Sequence, residues 1–364
     1  MDLVRHVWFL VDTLLRDRGI TLHRSRQASV SSDVMTPAED EAEQLVTLAR
    51  QIERGLKKQT WPLVKELCAQ LNERVTTYKQ SQPVVRHTKW TLDQTMRLLD
   101  LLYDRCVTMP QQLNKYECTL LLSRAPHLFR TDIDEVAFSH KVYGETKPQL
   151  IHQMIEKDVK EAFAACKVFV DLGSGIGNVV FQVALETDAK CYGVELMPIP
   201  AGYARDQLAE FKHCLNLLGC PSDRAHLREG DFLEDPKIVK LIEKANIVFV
   251  NNYAFGSEVD HALGNLFLGL KDGAKIISLK SFRPLDWRVT DWNVGDFASI
   301  LRVERFGFPF WSSRNNGIEA DWTRSYGEGS VSWTSSVGEY YVQTVDRSEV
   351  QKFLKQNKRR HQRD

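Results

Sequence analysis

Apolar residues in the first hundred positions recur at intervals of three and four. Val4, Val7, Trp8, Val11, Leu14 and Leu15 keep that spacing between residues 3 and 15. Leu45 to Leu56, Leu63 to Val75 and Leu92 to Tyr103 continue it, with Pro83 between the last two. A stripe of this period is the buried face of an amphipathic helix. Thr36-Pro37-Ala38-Glu39 adds a capping-box start, with proline in the first turn, where its missing N–H has no helical partner to lose. Residues 1–100 are therefore expected to be all helical.

The rhythm changes near residue 155. Val168 to Val170, Tyr192 to Val194, Ile247 to Val250 and Ile276 to Leu279 are short apolar runs separated by helix-length segments. Runs without polar alternation belong to strands covered on both faces, and helix-length spacers belong to crossovers. The pattern therefore predicts an α/β fold around a parallel sheet. Leu301 to Phe306 and Tyr340 to Val345 read as further strands with no helical period between them, which predicts an antiparallel finish.

Bulk composition narrows this picture only a little. A hydrophobic content of 43% is that of an ordinary globular chain, and 48 basic residues balance 48 acidic ones. An anionic partner must then be met by a local patch and not by the global field. Seven cysteines, at 68, 106, 118, 166, 191, 214 and 220, form no C-x-x-C pair. That scatter suits reduced thiols, so neither disulfides nor a metal site is expected. The apolar burst Val7 to Val11 is followed by Asp12; with no small-residue cleavage site and no span of about 20 apolar residues, neither secretion by that route nor membrane insertion is expected.

The densest chemistry lies in Val168-Phe-Val-Asp-Leu-Gly-Ser-Gly-Ile-Gly-Asn178. In a parallel sheet the first strand-to-helix turn takes a nucleotide-like ligand, because glycines permit close backbone approach and the helix N-terminus offers free N–H groups. Gly173, Gly175 and Gly177 are spaced G-x-G-x-G, and Asp171 stands at the strand end, where a pyrophosphate would meet an unwelcome carboxylate. Glu195 ends the next strand, in the place where an acid grips the two hydroxyls of a ribose. Asp171 would then face a cationic amino-acid part. An adenosine carrying such a part is S-adenosylmethionine.

Two later strand ends complete the set. Asp231 and Phe232 follow the third strand and suit an adenine, the acid accepting from its amino group and the ring stacking on it. Asn251-Asn-Tyr-Ala-Phe255 follows Ile247 to Val250; amides and aromatics at a carboxyl strand end suit a narrow slot for an amine nucleophile. Asn251 is read there as a positioner, not as an acid or base. His261 is read as an ordinary helix residue.

These residues resemble the Dot-one (disruptor of telomeric silencing) family of histone-lysine methyltransferases, which lack a SET domain. The likeness runs from about Tyr103 to Asp346 through "VYGET" (142–146), "VDLGSGIGN" (170–178), "GVEL" (193–196), "GDFL" (230–233), "VNNYAFG" (250–256) and "SVSWT…EYY" (330–341). It implies a class I, Rossmann-like, seven-stranded methyltransferase core over about 160–350, inside a catalytic domain at 101–350. Tyr143, Glu145 and Thr146 would join Asp171, Gly173, Gly175, Glu195, Asp231 and Phe232 at S-adenosylmethionine. Asn251, Phe255, Trp333 and Tyr340 would form the lysine channel, Asn251 touching the cofactor as well.

The implied activity is methylation of a lysine in the folded core of nucleosomal histone H-three, in the nucleus, by a monomer. Two rival readings are a nucleic-acid amino-methyltransferase and a catalytically silent nucleosome-binding module. "NNYAF" lacks the prolines usual in the first, and intact Asp171, Glu195 and Asn251 speak against the second. The chain departs from the family at residues 307–329, a longer connection whose aromatics are expected to pack on the protein itself. It ends in a basic tail at 351–364 with Lys352, Lys355, Lys358, Arg359, Arg360 and Arg363, a candidate contact for DNA phosphates or an acidic histone surface.

Overall fold

The computed structural model describes residues 7, 8, 11, 37–80, 89–109, 146–218, 220–253, 255–307 and 339–361. Two compact units share the chain: residues 1–106 with 210–222, and 107–209 with 223–364. The main segment of the first unit ends at Cys106. The inclusion of 210–222 was not expected, because that stretch falls inside the α/β rhythm.

The described residues of the first unit are mostly helical, as its periodicity requires. Helices α1 (Pro37–Lys57) and α2 (Trp61–Gln80) pack through Leu45, Ala49, Ile52, Val64, Leu67 and Leu71, all buried. Val7, Trp8 and Val11 are helical too, and the Trp8 indole donates to Glu53 Oε2 at 3.0 Å. Helix α3 (Leu92–Cys106) starts with a capping box that the sequence reading missed. Thr91 N donates to Gln94 Oε1 at 3.0 Å and Gln94 N donates to Thr91 Oγ1 at 3.3 Å, so each side chain satisfies a backbone donor of the first turn.

The second unit carries a seven-stranded sheet. Its strands are β1 (Val168–Leu172), β2 (Lys190–Glu195), β3 (Ala225–Glu229), β4 (Ile247–Val250), β5 (Lys275–Ser278), β6 (Leu301–Gly307) and β7 (Glu339–Val345). They lie in the order β3-β2-β1-β4-β5-β7-β6. The first five are parallel, and β7 runs antiparallel between β5 and β6. This is the architecture of the class I methyltransferase core, and it includes the antiparallel finish.

Helices cover both faces. On one face Val170, Leu172, Val194, Val248, Val250 and Ile276 pack with residues of α8 (Pro236–Lys244) and α9 (Ser257–Phe267), among them Ile238, Ile242, Leu263 and Phe267. Further helices are α4 (Pro148–Gln153), α5 (Lys160–Ala164), α6 (Asn178–Glu186) and α7 (Pro198–Leu218), with a π-helical turn at Met154–Asp158 between α4 and α5. Asp235 caps α8 by accepting from Lys237 N at 2.8 Å. Pro236 supplies the fixed φ of the first turn.

The strand order decides where a site can form. The order turns around at β1, between β2 and β4, and the chain leaves these strands at the carboxyl edge, where ligands of open α/β sheets bind. Ser278 pairs with Tyr341, so β7, running the opposite way, starts at that same edge.

Residues 351–361 of the basic stretch belong to helix α10 (Ser348–His361), which begins before the expected boundary, and 362–364 lie outside the described residues. Val350 packs partly buried on the core, and Glu349 Oε2 pairs with Arg283 at 3.2 Å. Among the described residues the cysteines are free and no group of metal-binding side chains occurs. No described helix is long and apolar enough to cross a membrane. The 308–338 segment, including most of the longer connection and Trp333, lies outside the described residues, as do Tyr143 and Glu145.

Candidate active site

The glycine turn is built as its spacing requires. Gly173, Gly175 and Gly177 have φ of 79°, 55° and 97°, values that a side chain would strain. Gly173 N and Ser174 N both donate to Val194 O, at 2.8 and 3.0 Å, which ties the turn to the next strand. Gly175 N donates to Glu195 Oε2 at 2.8 Å, and Met197 N donates to Glu195 Oε1 at 2.8 Å. Glu195 is therefore part of the turn's own scaffold as well as a candidate ligand. Each of its oxygens keeps a second lone pair for a hydroxyl.

Two buried carboxyls face the same sheet edge. Asp171 is 2% exposed and Glu195 8%. Burial, with the neighbouring Glu195 charge second, holds the Asp171 carboxyl well above the usual carboxylate range. Burial raises Glu195 too, against backbone hydrogen bonds from Met197, Gly175 and Leu196 that favour its ionised form. Paired acids in a dry site resist ionisation until a cation arrives. The donor set therefore fits a cationic ligand better than a phosphate.

Further polar atoms at the turn fit a ligand as well. Ser174 Oγ and Asn178 Oδ1 are buried with no hydrogen-bond partner among the described residues. Buried polar groups are ordinarily paired, so these two mark places where a ligand or an ordered water completes the bonding. The sequence reading passed over both. Their signal was present, as polar residues inside an otherwise glycine and apolar turn.

The β3 and β4 exits converge on the turn. Asp231 Oδ1 accepts from Leu233 N at 2.8 Å, and Phe232 is a buried core residue whose ring lies 6.1 Å from that of Phe255. A Cβ added to Gly173 would meet Phe255 Cζ at 3.6 Å. Gly173, Phe232 and Phe255 are thus brought together. Asn251 is partly exposed at the end of β4, its Oδ1 accepting from Tyr253 N at 3.4 Å.

The adjacent amides divide their work. Asn252 is 1% exposed, and its side chain bonds Leu279 N, Lys280 N, Lys280 O and Asp260. Those four bonds commit its side chain to the fold, whereas the Asn251 side chain is partly exposed. His261 is an exposed residue of α9 whose ring packs edge-on to Phe297 at 5.5 Å.

Tyr340 is fully buried in β7 and its hydroxyl donates to Asp158 of the π-helical turn. Gln153 Nε2 donates to the same carboxylate oxygen at 2.9 Å. Burial first, and the Asp158 hydrogen bond and charge after it, raise the Tyr340 pKa far above its usual value. The phenol therefore stays protonated and is no general base. Asp158 carried no sequence signal, since an isolated acid in a helical stretch reads as solvated. Thr146 is buried just before α4. Tyr143, Glu145 and Trp333 lie outside the described residues.

Comparison with known proteins adds to this geometry. Residues 133–345 match the family model described as histone methylation protein DOT1. A histone-lysine N-methyltransferase, H3 lysine-79 specific, from Mycosarcoma maydis is 38% identical over 219 residues, covering 60% of this chain and 25% of that protein. Proteins of the same name from Drosophila melanogaster and Aspergillus fumigatus are 34% and 29% identical over 280 and 311 residues. Those matches cover 76% and 84% of this chain, and 13% and 54% of the relatives. The chain thus spans about half or less of these relatives' length.

Proposed function

Because the chain belongs to the histone methylation protein DOT1 family, we propose that it transfers methyl groups from S-adenosylmethionine to a lysine in the folded core of nucleosomal histone H3, in the nucleus. Three relatives that bear the name of H3 lysine-79 methyltransferases support the substrate. The observation that carries the reading is the pair of buried carboxyls, Asp171 and Glu195, across the glycine turn from Phe255 and the end of β4.

In this reading Asp171 and Glu195 hold the cofactor with Gly173, Gly175, Asp231, Phe232 and Asn251. Tyr143, Glu145 and Thr146 belong to the same cofactor site, and Asn251, Phe255, Trp333 and Tyr340 to the lysine channel. When bound, S-adenosylmethionine supplies an electrophilic methyl group next to a positive sulfonium. The chain's own residues have two tasks.

One task is to deliver the amine without its proton. Removing a proton from lysine at pH 7, against a pKa near 10.4, costs about 4–5 kcal/mol. An aromatic channel lowers that cost by desolvating the ammonium, and a neighbouring positive charge lowers it further. No dedicated base is needed, in keeping with a Tyr340 held protonated by burial and by Asp158. The other task is orientation: Asn251 fixes the nitrogen for in-line approach at about 3 Å.

The exposed Lys352, Lys355, Lys358 and Arg359 of α10 supply a local cationic surface on a neutral chain, suited to DNA phosphates of the nucleosome. The reading is tested by Asn251→Ala, which should lose turnover far more than cofactor affinity. Unchanged turnover would remove Asn251 from the mechanism.

A further inference from the structure

Resting on the methyl-transfer reading above, we infer that Lys280 and Asp260, together with Asn252, are positioning residues that clamp the loop carrying Asn251 and Phe255. Residues 251–253, 255 and 256, between β4 and α9, belong to no strand. Within the loop, Phe255 N donates to Asn252 O at 3.2 Å. A connection of this kind keeps one geometry only if something outside it holds both ends.

The structure provides that hold from Leu279 and Lys280, just after β5. The Asn252 side chain uses its full hydrogen-bonding capacity. Its Oδ1 accepts from Leu279 N at 3.0 Å and Lys280 N at 2.8 Å. Its Nδ2 donates to Lys280 O at 3.2 Å and Asp260 Oδ1 at 3.0 Å. An amide offers two acceptor sites and two donors, so nothing remains for substrate. The far end of the loop is held by Lys280, whose ammonium donates to the Phe255 carbonyl.

Asp260 joins the two ends. Its Oδ1 takes Asn252 and its Oδ2 pairs with the Lys280 ammonium at 2.9 Å. The three side chains therefore form one closed bracket across the exits of β4 and β5 and the first turn of α9. Phe255, held at its carbonyl, carries its ring to Gly173 and Phe232. Asn251 is the residue next to the bracketed Asn252.

The bracket explains why charged residues close a loop that backbone bonds alone would leave open. A misplacement of about 1 Å at a reacting centre costs on the order of 100-fold in rate. The grips on the cofactor, Asp171 and Glu195, sit on β1 and β2 and do not depend on the bracket. Loosening it should therefore damage transfer more than cofactor binding.

Lys280→Met tests this with two readouts. Hydrogen exchange of the amides in residues 251–256 should quicken at least tenfold, whether or not the protein is active. On nucleosomes kcat should fall tenfold or more while the calorimetric Kd for S-adenosylmethionine stays within about threefold. Lys280→Arg, which keeps a donor near both acceptors, should recover most of the rate. Unchanged exchange in Lys280→Met overturns the bracket. So does a parallel loss of kcat, cofactor binding and thermal stability that Lys280→Arg does not rescue, since that pattern means a merely structural role. A wild-type protein that methylates nothing refutes the methyl-transfer reading instead, and the exchange comparison still decides the bracket.

Discussion

Asp171 and Glu195 stand at the carboxyl ends of neighbouring strands as two buried acids, and the negative charge of Glu195 adds to the burial that keeps the Asp171 carboxyl from ionising. A site that stores two reluctant acids is less stable empty than filled with a cation.

Replacing Asp171 by Asn separates these two effects. The ligand-free protein should gain stability, on the order of 1 kcal/mol, because an amide has no ionisation for burial to oppose. Cofactor affinity should fall about 10- to 100-fold, as expected for losing one charge-assisted bond. Thermal melting and calorimetry on the same variant check both signs. A destabilised variant with intact affinity would mean that Asp171 is scaffolding.

Proton linkage follows from the same pair. An acid whose folded pKa is raised binds its proton more tightly folded than unfolded. Stability from this group is therefore fully present below the ordinary carboxylate pKa of about 4, and it is lost as pH rises through the raised value. Binding a cation pulls the pKa back down, so cofactor binding should release protons and tighten as pH rises through that window. Calorimetry in two buffers of different ionisation enthalpy reads the release directly. Identical heats in both buffers would contradict it.

Much of this was legible in the sequence, for physical reasons. Val170, Leu172, Val248 and Ile276 are buried on strands covered by helices, so their runs had to be apolar, and the rhythm of strands and crossovers followed. Gly173 and Gly177 need left-handed backbone, which only their residue type announces. What stayed hidden depends on tertiary partners. Asn251 and Asn252 look alike in sequence, and only the approach of Leu279 and Lys280 commits the second to structure. The basic residues from Lys352 onward read as a tail because α10 is mostly polar, and its dock through Val350 and Glu349 precedes the charged run.

Tyr340 and Asp158 give a test away from the glycine turn. Tyr340→Phe leaves the Asp158 carboxylate with Gln153 but without the phenol. A hydrogen bond to a charged group contributes about 1.5–3 kcal/mol, so stability should fall by about that amount. Asp158→Asn should cost less, since an amide oxygen still accepts. Chemical denaturation of both variants checks the order. A Tyr340→Phe protein as stable as the parent would remove this contact from the account.

Charge on α10 should appear in salt dependence. Lys352, Lys355, Lys358 and Arg359 are exposed. If all four meet phosphates, the slope of log affinity against log salt carries up to about 3.6 from them, at roughly 0.9 per phosphate. Changing the four to Gln should flatten the slope for nucleosomes by a value well above zero and leave S-adenosylmethionine binding unchanged. Equal slopes from about 50 to 200 mM salt would make the helix a bystander.

The proposed function places methyl transfer to a histone lysine at the carboxyl edge of this sheet. Incubation with radiolabelled S-adenosylmethionine and, in parallel, nucleosomes, free histone H3 and bare DNA tests it most directly. The expected result is label on histone H3 in nucleosomes, on a lysine of the folded core, abolished by Asn251→Ala, with none on DNA. Label on DNA, or none on any substrate with an intact cofactor Kd, would contradict it.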